Sequence, residues 1–198
     1  MKTLVVATHN RKKAGEMTAI LSRSVPGIEI KTLGDFTGAP EPEETGDTYR
    51  ENALIKARSA AAFTGEWSLA DDAGLEIDAL PGDLGVHSKR FEGEETSFEQ
   101  KMAVVLDRMK DVAEPERGAR FRCCVALVSP EGEEHVFEDT CEGRIARAPS
   151  GSGGFGYDPI FFLPQLGCTM ADLTPDQKHA VSHRGKVLAK LAAHLASR

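Results

Sequence analysis

Long apolar runs are what this sequence most plainly lacks. Leu4-Val5-Val6-Ala7 is brief and gives way at once to His9, Asn10, Arg11, Lys12 and Lys13. That is too short for a signal-peptide core or a membrane span, so the expectation is a cytoplasmic protein with no membrane partner. Cysteine is sparse as well. Cys123, Cys124, Cys141 and Cys168 do not form the spaced pairs of a zinc site and read as reduced packing thiols. Cys123 and Cys124 are adjacent on an expected strand, so they should point to opposite faces. Excess positive charge is missing too. A net charge of -7 opposes sequence-independent capture of nucleic acid, which releases counterions only to a cationic surface. A few local Lys and Arg residues can still set the potential of one cleft for a nucleotide. No internal repeat, low-complexity tract or linker breaks the 198 residues, which read as a single domain over 1–198. With 40 % hydrophobic and 28 % charged residues the chain has ordinary globular usage, and a folded protein is expected.

Strand and helix signals alternate, which predicts an α/β fold. The apolar run at residues 4–7 reads as a buried strand entering a helix capped by Asn10, with the first-turn N–H groups facing the loop's contents. Thr48 and Glu51 form a capping box for an Ala-rich helix on which Asn52 and Lys56, four apart, share a face. Trp67-Ser68-Leu69-Ala70 predicts a short strand that delivers Asp71-Asp72-Ala73-Gly74 onto a turn. Ser97 and Gln100 open a helix whose Phe98, Met102, Val105, Leu106 and Met109 form one core-facing stripe. Residues 120–128 and 135–146 flank Pro130-Glu131-Gly132 as a hairpin. A Gly-rich loop over 151–156 precedes a strand at 160–163, and Thr174-Pro175-Asp176-Gln177 starts a C-terminal helix.

Each polar cluster has a plain structural reading beside a chemical one. The loop over residues 8–13 is a helix cap with solvated bases, or an anion site in which helix dipole and ammonium act together. It is not a P-loop, because the glycines and the terminal Lys-Ser/Thr are missing. Asp71-Asp72 is a turn, or a repelling pair relieved by magnesium, and Glu43 or Glu44 offers a further carboxylate. Gly151-Ser152-Gly153-Gly154-Phe155-Gly156-Tyr157-Asp158 is a flexible loop end, or a platform on which a base stacks with an acid at its edge. Lys178 lies in the first turn of its helix, where a cation opposes the dipole and asks for an anion.

Taken together, the segments resemble the inosine/xanthosine triphosphate pyrophosphatases, which remove deaminated purine nucleotides. The resemblance is carried by Thr8-His9-Asn10-Arg11-Lys12-Lys13, Glu44-Thr45-Gly46, Glu51-Asn52-Ala53 with Lys56, Ala70-Asp71-Asp72-Ala73-Gly74-Leu75, Gly153-Gly154-Phe155-Gly156-Tyr157-Asp158-Pro159 and Ser182-His183-Arg184-Gly185. It spans essentially the whole chain. It implies a long mixed β-sheet flanked by helices, two lobes with a central active-site cleft, a homodimer, and Mg2+-dependent release of pyrophosphate from ITP, dITP or XTP. By the same resemblance Thr8, His9, Asn10, Arg11, Lys12, Lys13 and Lys56 bind the triphosphate. Glu44 and Asp72 hold the metal, and Asp72 is also the catalytic proton acceptor. Phe155 stacks on the base, Gly156 and Tyr157 belong to the substrate set, and Asp158, Lys178, His183 and Arg184 surround the sugar and base edges. Ala73 joins the substrate set where relatives often carry Ser, so it brings no hydroxyl. A non-catalytic nucleotide-binding module and another metal-dependent nucleotide phosphohydrolase are the competing readings. The sequence lacks the Glu-rich helical signature of a Nudix hydrolase.

Overall fold

Residues 1–197 are described by a computed structural model. Among them, seven strands form one mixed sheet: β1 Thr3–Val6, β2 Glu29–Thr32, β3 Trp67–Ile77, β4 Gly118–Val128, β5 Glu134–Ile145, β6 Phe161–Leu163 and β7 Cys168–Thr169. Their order is β2-β1-β3-β4-β5-β6-β7. β1 is parallel to β2 and β3, pairing Val6 with Thr32 on one side and Leu69 on the other. β6 is antiparallel to β5 and β7. The helices are α1 Arg11–Ser24, α2 Tyr49–Thr64, α3 Phe98–Arg108, α4 Pro175–Val181 and α5 His183–Ala196.

The chain divides into two compact units. The first comprises Met1–Asp72, Cys123–Asp139 and Arg184–Arg198. All four residues of β1 are buried, as a strand with neighbours on both edges and covered faces requires. α1 turns Met17, Ile20 and Leu21 inward, and α2 buries Ala53, Ala57, Ala60 and Ala61, small side chains that allow close approach. α2 opens on the Thr48–Glu51 capping box and stops at Gly65, which adopts a φ of 68°. The β4–β5 turn is closed by Ser129, whose amide donates to the Glu133 carbonyl at 2.9 Å.

The second unit comprises Ala73–Arg122 and Thr140–His183. Leu75, Val105, Met109, Ile145, Ile160 and Phe161 belong to its apolar core. Arg117 is buried there without a carboxylate among its hydrogen-bond acceptors: the guanidinium donates to the carbonyls of Met109 (2.6 Å), Ile145 (2.8 Å) and Ala146 (2.9 Å). Backbone oxygens compensate its desolvation by direct hydrogen bonding.

Three elements differ from their sequence-based expectation. β3 continues to Ile77, so Asp71 and Asp72 lie inside a strand rather than on a turn. Turn propensity loses here because β3 is hydrogen-bonded between β1 and β4 in the sheet. Gly74 serves close packing: a Cβ there would sit 2.0 Å from the Gly85 carbonyl oxygen. The expected single C-terminal helix is two, broken at Ser182, whose φ of -70° and ψ of 154° are extended. Phe98, expected in the core, is 39 % exposed, while Met102, Val105 and Met109 of the same stripe face inward.

Candidate active site

In the first unit, strand alternation sends the Asp71 and Asp72 side chains to opposite faces of β3. Asp71 is 1 % exposed and is held by Arg184, whose Nη2 and Nε lie at 2.8 and 3.2 Å, and by Lys13 Nζ at 3.2 Å. Burial alone would raise its pKa, but the charges of Lys13 and Arg184 more than reverse this and drive it well below the usual carboxylate range. Asp72 has weaker company. Lys56 Nζ is 3.4 Å from it and is shared with Glu44 at 2.7 Å, and the neutral Asn52 amide donates at 3.3 Å. Burial therefore raises the pKa of Asp72. Lys56 and Lys13 oppose the shift without cancelling it, and Glu44 and Asp71 add to it. Of two adjacent, chemically identical acids, one is held as an anion and the other has a raised proton affinity.

α1 delivers the cations. Asn10 caps it, its Oδ1 accepting from the amides of Lys12 (3.0 Å) and Lys13 (3.1 Å), and Thr8 Oγ1 accepts from the Asn10 amide at 3.2 Å. The cap thus takes two amides that the sequence left for a ligand. What remains is charge: Arg11, Lys12 and Lys13 fill a first turn containing no acid, where the helix dipole already favours an anion. Arg11 and Lys12 are exposed, and His9 Nε2 lies 3.2 Å from the Pro40 carbonyl.

In the second unit the Gly-rich loop wraps a buried ion pair. Asp158 Oδ2 accepts from Lys178 Nζ and from the Phe155 amide, each at 2.8 Å. Gly154 makes this possible, since its φ is 68° and a Cβ would lie 2.0 Å from that oxygen. Lys178 Nζ stands 4.5 Å over the Phe155 ring, leaving a half-buried aromatic beside a fixed ammonium. His183 packs on Phe121 with ring centroids 4.8 Å apart. Gly156 has a φ of 68°, and Ala73 is half-buried. Tyr157 is committed elsewhere: its ring is buried and its hydroxyl donates to the Ser88 carbonyl at 2.9 Å. Ser88 in turn docks on β3, its Oγ accepting from the Leu75 amide at 2.9 Å.

The sequence model of the Ham1 family matches residues 4–194. The chain belongs to the Ham1 family. A dITP/XTP pyrophosphatase of Geobacter sulfurreducens is 49 % identical over 195 residues, covering 98 % of this chain and 97 % of that protein. One from Geobacillus kaustophilus is 46 % identical over 191 residues, covering 96 % and 93 %. The solved structure of a HAM1 protein from Coxiella burnetii superposes with a TM-score of 0.88 at 39 % identity, covering 100 % of both chains.

The oxygens of this Ham1 chain suit a hard divalent cation. Glu44 and Asp72 converge on one ammonium, so their carboxylates are close neighbours. Among the described residues no three His, Cys, Asp or Glu side chains gather into a cage. Magnesium is commonly bound by one or two carboxylates with water and substrate phosphate completing the shell, and this pair fits that pattern.

Of the residues singled out in the Ham1 sequence, Lys13, Glu44, Lys56, Asp72 and Arg184 are linked through the two acids of β3 in the first unit, and Phe155, Asp158 and Lys178 meet in the second. The Arg184 guanidinium meets Asp71 and, at 2.6 Å, Glu16 in the first unit, and the Tyr157 hydroxyl meets the Ser88 carbonyl. Sequence reasoning overlooked Glu16, Ser88 and Phe121. Nothing local marks them, since a helical Glu, a loop Ser and a strand Phe are ordinary in those places. Asn52 was visible through its spacing from Lys56, and both do reach Asp72.

Proposed function

We propose that this Ham1 protein hydrolyses the deaminated purine nucleoside triphosphates ITP, dITP and XTP to the nucleoside monophosphate and pyrophosphate. The observation that carries the reading is the unequal pair on β3: a carboxylate with raised proton affinity, Asp72, next to one that anchors Lys13, at a helix terminus rich in cations. The activity named for the curated relatives supports the same reading.

Water attacks the α phosphorus, the bond to the bridging oxygen breaks, and pyrophosphate leaves with the electron pair. Asp72 accepts the proton of the attacking water, a role for which its raised pKa suits it. Lys13 and Lys56 bind the polyphosphate oxygens and stabilise charge as it shifts to the leaving group. A magnesium ion held by Glu44 and Asp72 supplies further neutralisation when bound. In the second unit Phe155 offers a stacking face, and Lys178 and His183 offer polar groups to the base edge. Hypoxanthine and xanthine carry an acceptor at position 6 where adenine carries an amino donor, so a cationic donor there leaves adenine mismatched. Homodimeric assembly and a cytoplasmic location complete the proposal. The net charge of -7 disfavours nucleic acid as a partner, and no described helix is long and apolar enough to cross a membrane.

A nucleotide panel with product identification tests the reading. ITP or XTP with magnesium should give monophosphate and pyrophosphate, with ATP and GTP far slower. Orthophosphate as the first product would overturn it, and tight binding without turnover would reduce the protein to a nucleotide-binding module.

A further inference from the structure

The chemistry above uses Lys13, Asp72 and the anchoring of Lys13 by Asp71, but leaves Glu16 and Arg184, the groups behind that anchor, without a task. Glu16 and Asp71 are the acidic links of an unbroken chain of ion pairs inside the first unit. Glu16 meets Arg184 Nη1 at 2.6 Å, Arg184 grips Asp71 through Nη2 at 2.8 Å and Nε at 3.2 Å, and Asp71 meets Lys13 Nζ at 3.2 Å. Side-chain exposure along it is 8 % at Glu16, 3 % at Arg184, 1 % at Asp71 and 20 % at Lys13. The chain is sealed at the glutamate and opens to solvent at the ammonium.

We infer that Glu16 and Asp71 are positioning residues for polyphosphate: Glu16 fixes Arg184, Arg184 fixes the Asp71 carboxylate, and Asp71 holds the Lys13 ammonium in place to meet the ligand. The inference rests on the proposed role of Lys13 in gripping phosphate. Three observations separate it from simpler readings. Asp71 already meets two cations, so it is poorly placed to accept a proton or to hold a metal. Arg184 is the second residue of α5, where a cation opposes the helix dipole, and carboxylates on both sides offset that cost. Lys13 ends a flexible four-carbon stem, and a fixed carboxylate behind it restricts the ammonium before the ligand arrives, which is how preorganisation raises affinity.

A double-mutant cycle on the full chain tests this, with inorganic tripolyphosphate binding followed by calorimetry. Glu16→Gln, Lys13→Met and the double variant are compared with wild type, and thermal melts are recorded alongside. Glu16→Gln should weaken binding about five- to thirty-fold in the presence of Lys13 and have little further effect in the Lys13→Met background. An equal loss in both backgrounds, or no loss in either, overturns the inference. If Glu16→Gln melts below the assay temperature, Glu16→Asp, which keeps the charge one methylene back, goes through the same cycle and the same criterion decides. The probe has no base and is read by binding, so the result is independent of the substrate assignment. A non-additive cycle with no turnover of ITP removes the proposed function and leaves this inference standing. Turnover of ITP with an additive cycle does the reverse.

Discussion

Replacing Asp72 by Asn should separate activity from stability in opposite directions. The amide is nearly isosteric, and its one oxygen can keep the bond from Lys56 while the bond from Asn52, which goes to the other carboxylate oxygen, is lost. Loss of the proton acceptor removes general-base assistance, which contributes roughly a hundred- to ten-thousand-fold to rate. Stability should rise. Burial lifts the pKa of Asp72 above its ordinary 3.8, and the attraction of Lys56 and Lys13 does not cancel the lift, to which Glu44 and Asp71 add. An acid with a raised native pKa binds its proton more tightly folded than unfolded. Its ionisation therefore costs stability at neutral pH, and the cost disappears as pH falls through the native value toward 3.8. Asn never carries that cost. Each kcal/mol relieved should raise Tm by about 2–4 °C in a chain of this size. The wild-type and Asp72→Asn melting curves should therefore converge as the buffer is taken from pH 7 to pH 4. Calorimetric melts across pH and product-resolved kinetics check the two arms. A lower Tm at pH 7, or activity within tenfold of wild type, would refute the reasoning.

Asp71→Asn should behave oppositely in the melt. Breaking a buried pair costs about 3–5 kcal/mol, so Tm should fall by roughly 6–20 °C. Because the native pKa of Asp71 is depressed, its contribution is present above the ordinary value of 3.8 and is lost as pH drops below it. The gap between wild type and variant should therefore narrow only in strong acid. Gly154→Ala forces a Cβ onto Asp158 Oδ2 at a φ of 68° and should displace the carboxylate from Lys178 and the Phe155 amide. The expected result is a rise of about tenfold or more in KM for ITP, and an unchanged KM would count against the role of this loop in base binding. Tyr157→Phe removes only the bond to Ser88 and should cost about 0.5–1.5 kcal/mol of stability, without altering ITP-over-ATP preference. Loss of that preference at unchanged Tm would show that the hydroxyl reads the base.

Local rules made much of this fold legible. The caps at Asn10, Thr48, Ser97 and Thr174 all form as their sequences suggest, because a capping side chain bonds amides only two or three residues away. Cys123 and Cys124 do face different neighbours. Cys123 feels Asp71 and Arg184, and burial pushes its thiol up. Cys124 feels Glu138, and its thiol is pushed up to about 12 by burial first. Phe98 escaped the reading because helical period says which residues share a face but not how far the neighbouring core extends. Ser182 escaped because the helical pattern runs through it.

The two acids of β3 mark the boundary most clearly. From sequence they are the same residue twice, and only the resemblance favoured Asp72. The sequence by itself determined that a strand, a capped cationic helix and an Asn52–Lys56 face exist, since each depends on contacts a few residues apart. The tertiary structure decided which acid is which. Strand alternation splits the pair, and Lys13 and Arg184, 58 and 113 residues from Asp71, form their ion pairs with that acid. Asp72 is left with a lysine it must share, and burial raises its proton affinity because the nearby lysines do not cancel that cost; such compensation depends on distance in space, which no local pattern records.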